Sequence, residues 1–292
     1  MKLIPHLALL LLMLTVGTAA SINVEDGSIV DWGLDDLYDV SKWGKNESWV
    51  PDNGIIFVVE DNNDPGGTLK YASGVHIKGV GGKGYVYNPD PPVNGYVQPV
   101  GGEPWDVEAL YITEDSENIY VLIITSLAPD AQPLPPGDLA LDLDNDGTYE
   151  YGVKIVDPSA GMIYNTTPDG SWINATDLPS NSPALIDVGN AIPTGNFANV
   201  SYFWLNVIEQ FNTTIIYPNY AIEIKISKAY VDLEGKTLSG GRTGHGTKFH
   251  YSEASCGNDI IEQEIEIPEF SMILIPVGIV FGFYYLRRRE NQ

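Results

Sequence analysis

Asp142-Leu143-Asp144-Asn145-Asp146-Gly147 sets three aspartates at alternate positions and closes on a glycine, with Glu150 three residues further on. Carboxylates spaced this way around a tight turn aim hard oxygens at one point, which is the donor set calcium takes. The residues that could ligate it are Asp142, Asp144, Asp146 and Glu150. The same stretch also suits an Asn-Asp-Gly turn between antiparallel strands, in which Asp and Asn side chains bond the local backbone. Leu139, Leu141 and Leu143 alternate before it, and Tyr149, Tyr151 and Val153 alternate after it, so strands rather than helices are expected to flank it. A turn that also binds calcium satisfies both readings.

The start of this stretch resembles an EF-hand loop, but the resemblance fails at its end. The twelfth position is Val153, where a bidentate Glu would be needed, and Glu150 falls at the ninth.

Three other groups of residues could do chemistry. His245, His250 and Cys256 lie within twelve residues of one another. Imidazole and thiolate suit zinc or copper, so these three form a candidate metal or redox set, although the spacing matches no diagnostic pattern. A buried thiol or intermolecular pairing accounts for Cys256 equally well. Sugar binding would need exposed rings to stack on pyranose faces. Trp43, Trp49 and Trp172 stand among polar residues and could be exposed, although ordinary packing is the favoured reading for each, whereas Trp105 and Trp204 abut strands and are expected in the core. Catalysis has little support. There is no Gly-x-Ser-x-Gly elbow or His-Glu-x-x-His helix, and Gly79 to Gly84 reads as a flexible loop rather than a phosphate cradle. Paired carboxylates could hydrolyse glycosides, but nothing selects two from so many, and the chain is not expected to be an enzyme.

The elements that must position these residues read as strands. Short runs rich in Val, Ile and Tyr recur between Gly, Pro, Asn and Asp clusters: Ile55 to Val59, Ala72 to Val80, Ala109 to Thr113, Ile119 to Thr125, Asp138 to Asp144, Tyr149 to Val156, Val200 to Val207, Tyr220 to Ile226 and Ile260 to Ile267. Many short strands at such spacing predict an all-β, antiparallel β-sandwich. A short helix is expected within Val30 to Val40, and 158–199 reads as a long loop. Residues 21–267 are expected to form one ectodomain.

Several of these runs look familiar together. Asp31-Trp32, Trp105-Asp106-Val107-Glu108-Ala109-Leu110-Tyr111, Ile119-Tyr120-Val121-Leu122-Ile123-Ile124, Gly137-Asp138-Leu139-Ala140-Leu141-Asp142-Leu143-Asp144 and Tyr220 to Ile226 resemble the strand order of sandwich domains similar to family 9 carbohydrate-binding modules. The resemblance implies fold more than ligand. Such domains commonly hold calcium near comparable acidic turns.

Both ends of the chain read as targeting signals. Lys2, then Leu3 to Val16, then Gly17-Thr18-Ala19-Ala20 give the charged, apolar and small-residue regions of a secretory signal peptide over 1–20. At the other end, 268–292 begins with Pro268-Glu269-Phe270, continues as an apolar run to Leu286 and stops at Arg287-Arg288-Arg289. At about 1.5 Å per residue the run spans roughly 25 Å, a short membrane helix with its arginines in the cytoplasm. The tripeptide, helix and arginine cluster resemble the PEF-CTERM signal of archaeal surface proteins, which implies an archaeosortase-type processing enzyme as partner. A plain C-terminal anchor would have the same topology.

Between the signals, Ser21 to Phe270 carries 11 basic and 38 acidic residues, a net charge of −27. Nucleic acid is excluded as a partner by repulsion, and a solvated, cation-rich exterior suits such a surface. The single cysteine allows no internal disulfide. Asn-x-Ser/Thr sequons at Asn46, Asn165, Asn174, Asn199 and Asn212 make a glycoprotein the expectation. The chain is therefore expected to be exported and anchored at the cell surface as an envelope or extracellular-matrix component, calcium-stabilised, with cell-surface glycans or itself as partners. A carbohydrate-binding surface module is the alternative, and a secreted hydrolase the third reading.

Overall fold

The computed structural model describes residues 22–62, 74–86, 105–131, 135–156, 158–175, 182–211, 215–253 and 259–265. The two segments that read as targeting signals in the sequence, with Pro268, Glu269, Phe270, Arg287, Arg288 and Arg289 in the second, lie outside the described residues, as do Asn212 and Cys256. Among the described residues no helix is long and apolar enough to cross a membrane.

The described chain is mostly β. Its strands are β1 (Ile56–Asn62), β2 (Gly74–Val80), β3 (Lys83–Val86), β4 (Val107–Glu114), β5 (Asn118–Thr125), β6 (Leu139–Asp142), β7 (Tyr151–Val153), β8 (Met162–Asn165), β9 (Trp172–Asn174), β10 (Pro183–Ile186), β11 (Ile192–Phe197), β12 (Asn199–Phe211), β13 (Ile215–Ser227), β14 (Thr247–Glu253) and β15 (Asp259–Ile265). A seven-stranded sheet has the order β12-β13-β5-β4-β1-β2-β3, and a six-stranded sheet the order β11-β8-β7-β6-β14-β15. Strands β9 and β10 form a small sheet of their own. Neighbours pair antiparallel, as in β4 with β5 and β6 with β14.

Two-residue alternation sends Leu110, Ile112, Val121, Ile123, Ile222 and Ile224 of the larger sheet to one face. There they meet Leu139, Leu141, Val153, Phe249 and Tyr251 of the smaller sheet in one buried cluster. Two sheets packed face to face over such a core make a β-sandwich-like arrangement. The central strands of the larger sheet are unusual in being apolar on both faces. Ala109, Tyr111, Leu122 and Ile124 point away from the shared core and are nevertheless buried, because residues 22–50 fold across that outer face.

This covering segment holds the first corrections. The helix expected within Val30 to Val40 is a series of 3₁₀ turns at Val30–Trp32, Asp35–Tyr38, Val40–Lys42 and Asn46–Trp49. Gly33, at φ 76°, ends the first of them. Trp43 and Trp49 are 2% and 0% exposed, so they are core residues and not a surface platform. Each finds a backbone acceptor for its indole N–H: Trp43 donates to the Leu37 carbonyl at 2.9 Å and Trp49 to the Trp43 carbonyl at 2.7 Å. A satisfied N–H is what allows a tryptophan to be wholly buried.

Two stretches expected to be loops contain strands. Region 158–199 holds β8 to β11, each only three to six residues long. Strands so short show too little alternation to be recognised, and Pro193 sits in the edge strand β11, where a missing N–H is tolerated. The glycine-rich stretch at 79–84 is the tight hairpin between β2 and β3, with Gly79 opposite Gly84.

Candidate metal centre

Strands β6 and β7 pair antiparallel, with Leu139 opposite Val153 and Leu141 opposite Tyr151, and the acidic stretch is the turn between them. Leu143 is fully buried in the shared core and pins the turn at its start. Asn145 at φ 53° and Gly147 at φ 89° take the left-handed backbone that reverses the chain, and these residue types accept it at least cost.

Asp142 organises the turn from beneath. Its Oδ1 accepts the Asp144 and Asp146 backbone N–H groups at 3.3 and 3.2 Å, and its Oδ2 accepts the Gly147 N–H at 2.9 Å. Glu150 returns at the start of β7, where its Oε2 accepts the Leu143 N–H at 2.7 Å. The turn and the acidic site are thus one structure, as both sequence readings allowed. Asp142, Asp144 and Glu150 are buried and Asp146 is exposed.

One carboxylate oxygen from each of Asp142, Asp144, Asp146 and Glu150 lies within 4.8 Å of all the others. Among the described residues this is the group of acids, histidines or cysteines arranged to hold a metal ion. Calcium–oxygen distances of about 2.3–2.6 Å give a ligand shell roughly 4.6–5.2 Å across, so the four oxygens fit around one such ion. The donors are all hard oxygens. Asp144 Oδ1 is buried without a hydrogen-bond partner, the condition expected of a ligand atom.

The local field supports a cation. Burial first, and then the Asp144 and Asp142 charges, push the Glu150 carboxyl up to about 7 against the opposing Leu143 N–H and Arg242 charge. Arg242 is the site residue that the sequence did not reveal. Its Nη2 donates to Asp144 Oδ2 at 2.9 Å and to Glu150 Oε1 at 3.0 Å. Arg242 stands some hundred residues downstream in a Gly-Gly-Arg-Thr-Gly loop, and no local pattern marks it as a partner of the turn.

Of the second candidate set, His245 and His250 are described, and His250 is already engaged within the protein. His250 is fully buried, with Nδ1 2.6 Å from Glu262 Oε1 and Nε2 2.8 Å from the Pro183 carbonyl. Glu262 also accepts from the Tyr149 hydroxyl and from Lys248. Both ring nitrogens therefore face acceptor oxygens within the protein rather than an open ligand position. His245 is exposed in the preceding loop.

Of the described sequons, Asn46, Asn174 and Asn199 are exposed and Asn165 is half-buried. Trp172 is half-buried beside Tyr149, with ring centroids 6.5 Å apart. Trp204, expected in the core, is 50% exposed. It lies on the edge strand β12 immediately before a bulge between Trp204 and Val207, where Asn206 takes φ 57° and the strand turns its ring outward.

No family model matches the chain, and no curated protein matches it.

Proposed function

We propose that the chain is an exported, cell-surface-anchored β-sandwich protein, an envelope or extracellular-matrix component whose acidic turn binds calcium as a stabilising ion. The convergence of Asp142, Asp144, Asp146 and Glu150 carries the calcium part of this reading. An ion there would tie the end of β6 to the start of β7 and neutralise three buried carboxylates at once. The calcium-sized shell and the all-oxygen donor set favour it over zinc or copper. Surface display is supported by the signal-like ends, the −27 charge between them and the exposed sequons.

The test is melting of the purified protein with and without chelator, with the same comparison for Asp142→Asn. Calcium at a hundred times its dissociation constant should stabilise the wild type by about 2.7 kcal/mol. The variant should not respond. Identical melting of the wild type at every calcium concentration would remove the ion from the proposal. Mass spectrometry of the native protein reads the display half, since processing at Ala20 is required by it.

A carbohydrate-binding role is the second reading, and one observation favours it. Trp204 presents an exposed indole and pairs across the strands with Tyr220, giving two rings on one face. Glycan binding that disappears in Trp204→Ala would support that role.

A further inference from the structure

We infer that Arg242 is a resident counter-cation of the acidic turn, which the metal ion must displace, so that ion and guanidinium compete for the same carboxylates and the arginine sets the affinity of the site. The inference rests on the calcium reading above and concerns how that site is regulated.

Four observations lead to it. First, a single guanidinium nitrogen lies within 3.0 Å of oxygens from two of the four ligating residues, Asp144 and Glu150. A cation bound to those carboxylates and this nitrogen would compete for the same negative charge at close range. Second, the guanidinium reaches the site from the solvent side, with 35% of the side chain exposed, so it can leave without dragging charge through the core.

Third, the backbone of Arg242 is held independently of its side chain. Its N–H donates to the Leu143 carbonyl at 2.7 Å, and its own carbonyl accepts from Lys236 Nζ at 3.1 Å. Gly241 beside it, at φ 54°, presses so closely that an added Cβ would lie 2.6 Å from the Leu143 oxygen and 2.0 Å from that of Gly246. The side chain can therefore swing while the loop stays docked. Fourth, an alternative seat is near: Asp232 already acts electrostatically on Arg242, is itself exposed, and has its Oδ2 bonded by the Tyr151 hydroxyl at 2.7 Å.

In the ion-free protein, Arg242 partly neutralises the cluster and closes it. When the ion enters, Asp144 and Glu150 turn their charge to it and the guanidinium moves toward Asp232. The intrinsic affinity of the turn is thereby lowered by the bonds the arginine must give up, which sets the ion concentration at which the site fills. Buffered ion and arginine become alternative closures of one turn.

The experiment is calcium titration, followed calorimetrically, of the full-length wild type, Arg242→Gln and Arg242→Lys, with magnesium as comparator and urea unfolding to confirm that each variant is folded. Losing charge-assisted bonds to the competitor should tighten calcium binding in Arg242→Gln about tenfold. Arg242→Lys should fall between it and the wild type. Without calcium, Arg242→Gln should melt below the wild type, and saturating calcium should close that gap. Calcium binding by Arg242→Gln equal to or weaker than the wild type's would overturn the inference while leaving the calcium site standing. Binding by none of the three proteins would overturn the calcium reading itself, and this inference with it.

Discussion

Glu223 allows the outer layer of the fold to be tested on its own. It lies on β13, is fully buried, and accepts the Trp32 indole N–H at 2.7 Å. Among the described residues no basic side chain pairs with it, and its Oε2 has no hydrogen-bond partner. Burial first, and then the Asp31 and Asp26 charges, push its carboxyl up to about 8 from 4.5 against the Trp32 bond. A folded-state value above the unfolded one means that the native state holds its proton longer. The stabilisation is complete below about pH 4.5 and is lost as pH rises through 8. At about 1.36 kcal/mol per unit, linkage gives a loss of roughly 4 kcal/mol between pH 5 and pH 9 from this one residue. Glu223→Gln keeps an oxygen for Trp32 and cannot ionise. Urea unfolding of both proteins at each pH from 5 to 9 isolates the effect, because the other carboxyls titrate in both and cancel in the difference. The variant should gain on the wild type progressively, by about 2–3 kcal/mol at pH 7 and about 4 at pH 9 relative to pH 5. Curves that stay parallel to within about 1 kcal/mol would refute the reasoning, since Glu223 would then be ionised in place or reached by water.

Two further outcomes follow from the same geometry. Trp49→Ala removes a fully buried ring while keeping the backbone carbonyl that accepts the Tyr111 hydroxyl at 3.1 Å; urea denaturation should register a loss of about 3–5 kcal/mol, and glycan binding should be unaffected in the variant that remains folded. At acid pH, Glu262 gives the opposite sign from Glu223: burial raises its carboxyl, but the bonds from His250 and Lys248 more than offset this and hold it at about 2. Its contribution is present above pH 4.5 and lost toward pH 2, and with 39% of the side chain exposed solvent screening limits it to about 1 kcal/mol. Thermal melting of Glu262→Gln should flatten that acid limb, and an unchanged slope would count against the His250–Glu262 pair.

Where a run rich in Val, Ile and Tyr extended for five residues or more, the strands were legible in the sequence. Ile119 to Thr125 and Tyr220 to Ile226 fall within β5 and β13, and the acidic turn between Leu141 and Tyr151 was legible as both turn and ligand set. What escaped depended on distance or on context. Trp43 and Trp49 are surrounded by Ser, Asn and Lys, which left exposure open beside ordinary packing. Their burial follows from the second apolar face of a sheet formed by residues far along the chain. Trp204 was misplaced for the converse reason, because edge position and a bulge are not written in its neighbours. Arg242 shows the same limit: a charge pair made across 92 residues leaves no local signature.

The bond between Trp32 and Glu223 joins positions 191 residues apart. The segment that seals the larger sheet is made first, yet the strand that receives it comes near the end. Closure of so long a circuit favours slow, concerted folding over stepwise growth. A chain cut short before β13 leaves the Trp32 indole N–H without its acceptor and β5 without its neighbour on that side. Such a fragment would expose the unpaired edge of β5, so the sheet is completed only when the late strand arrives.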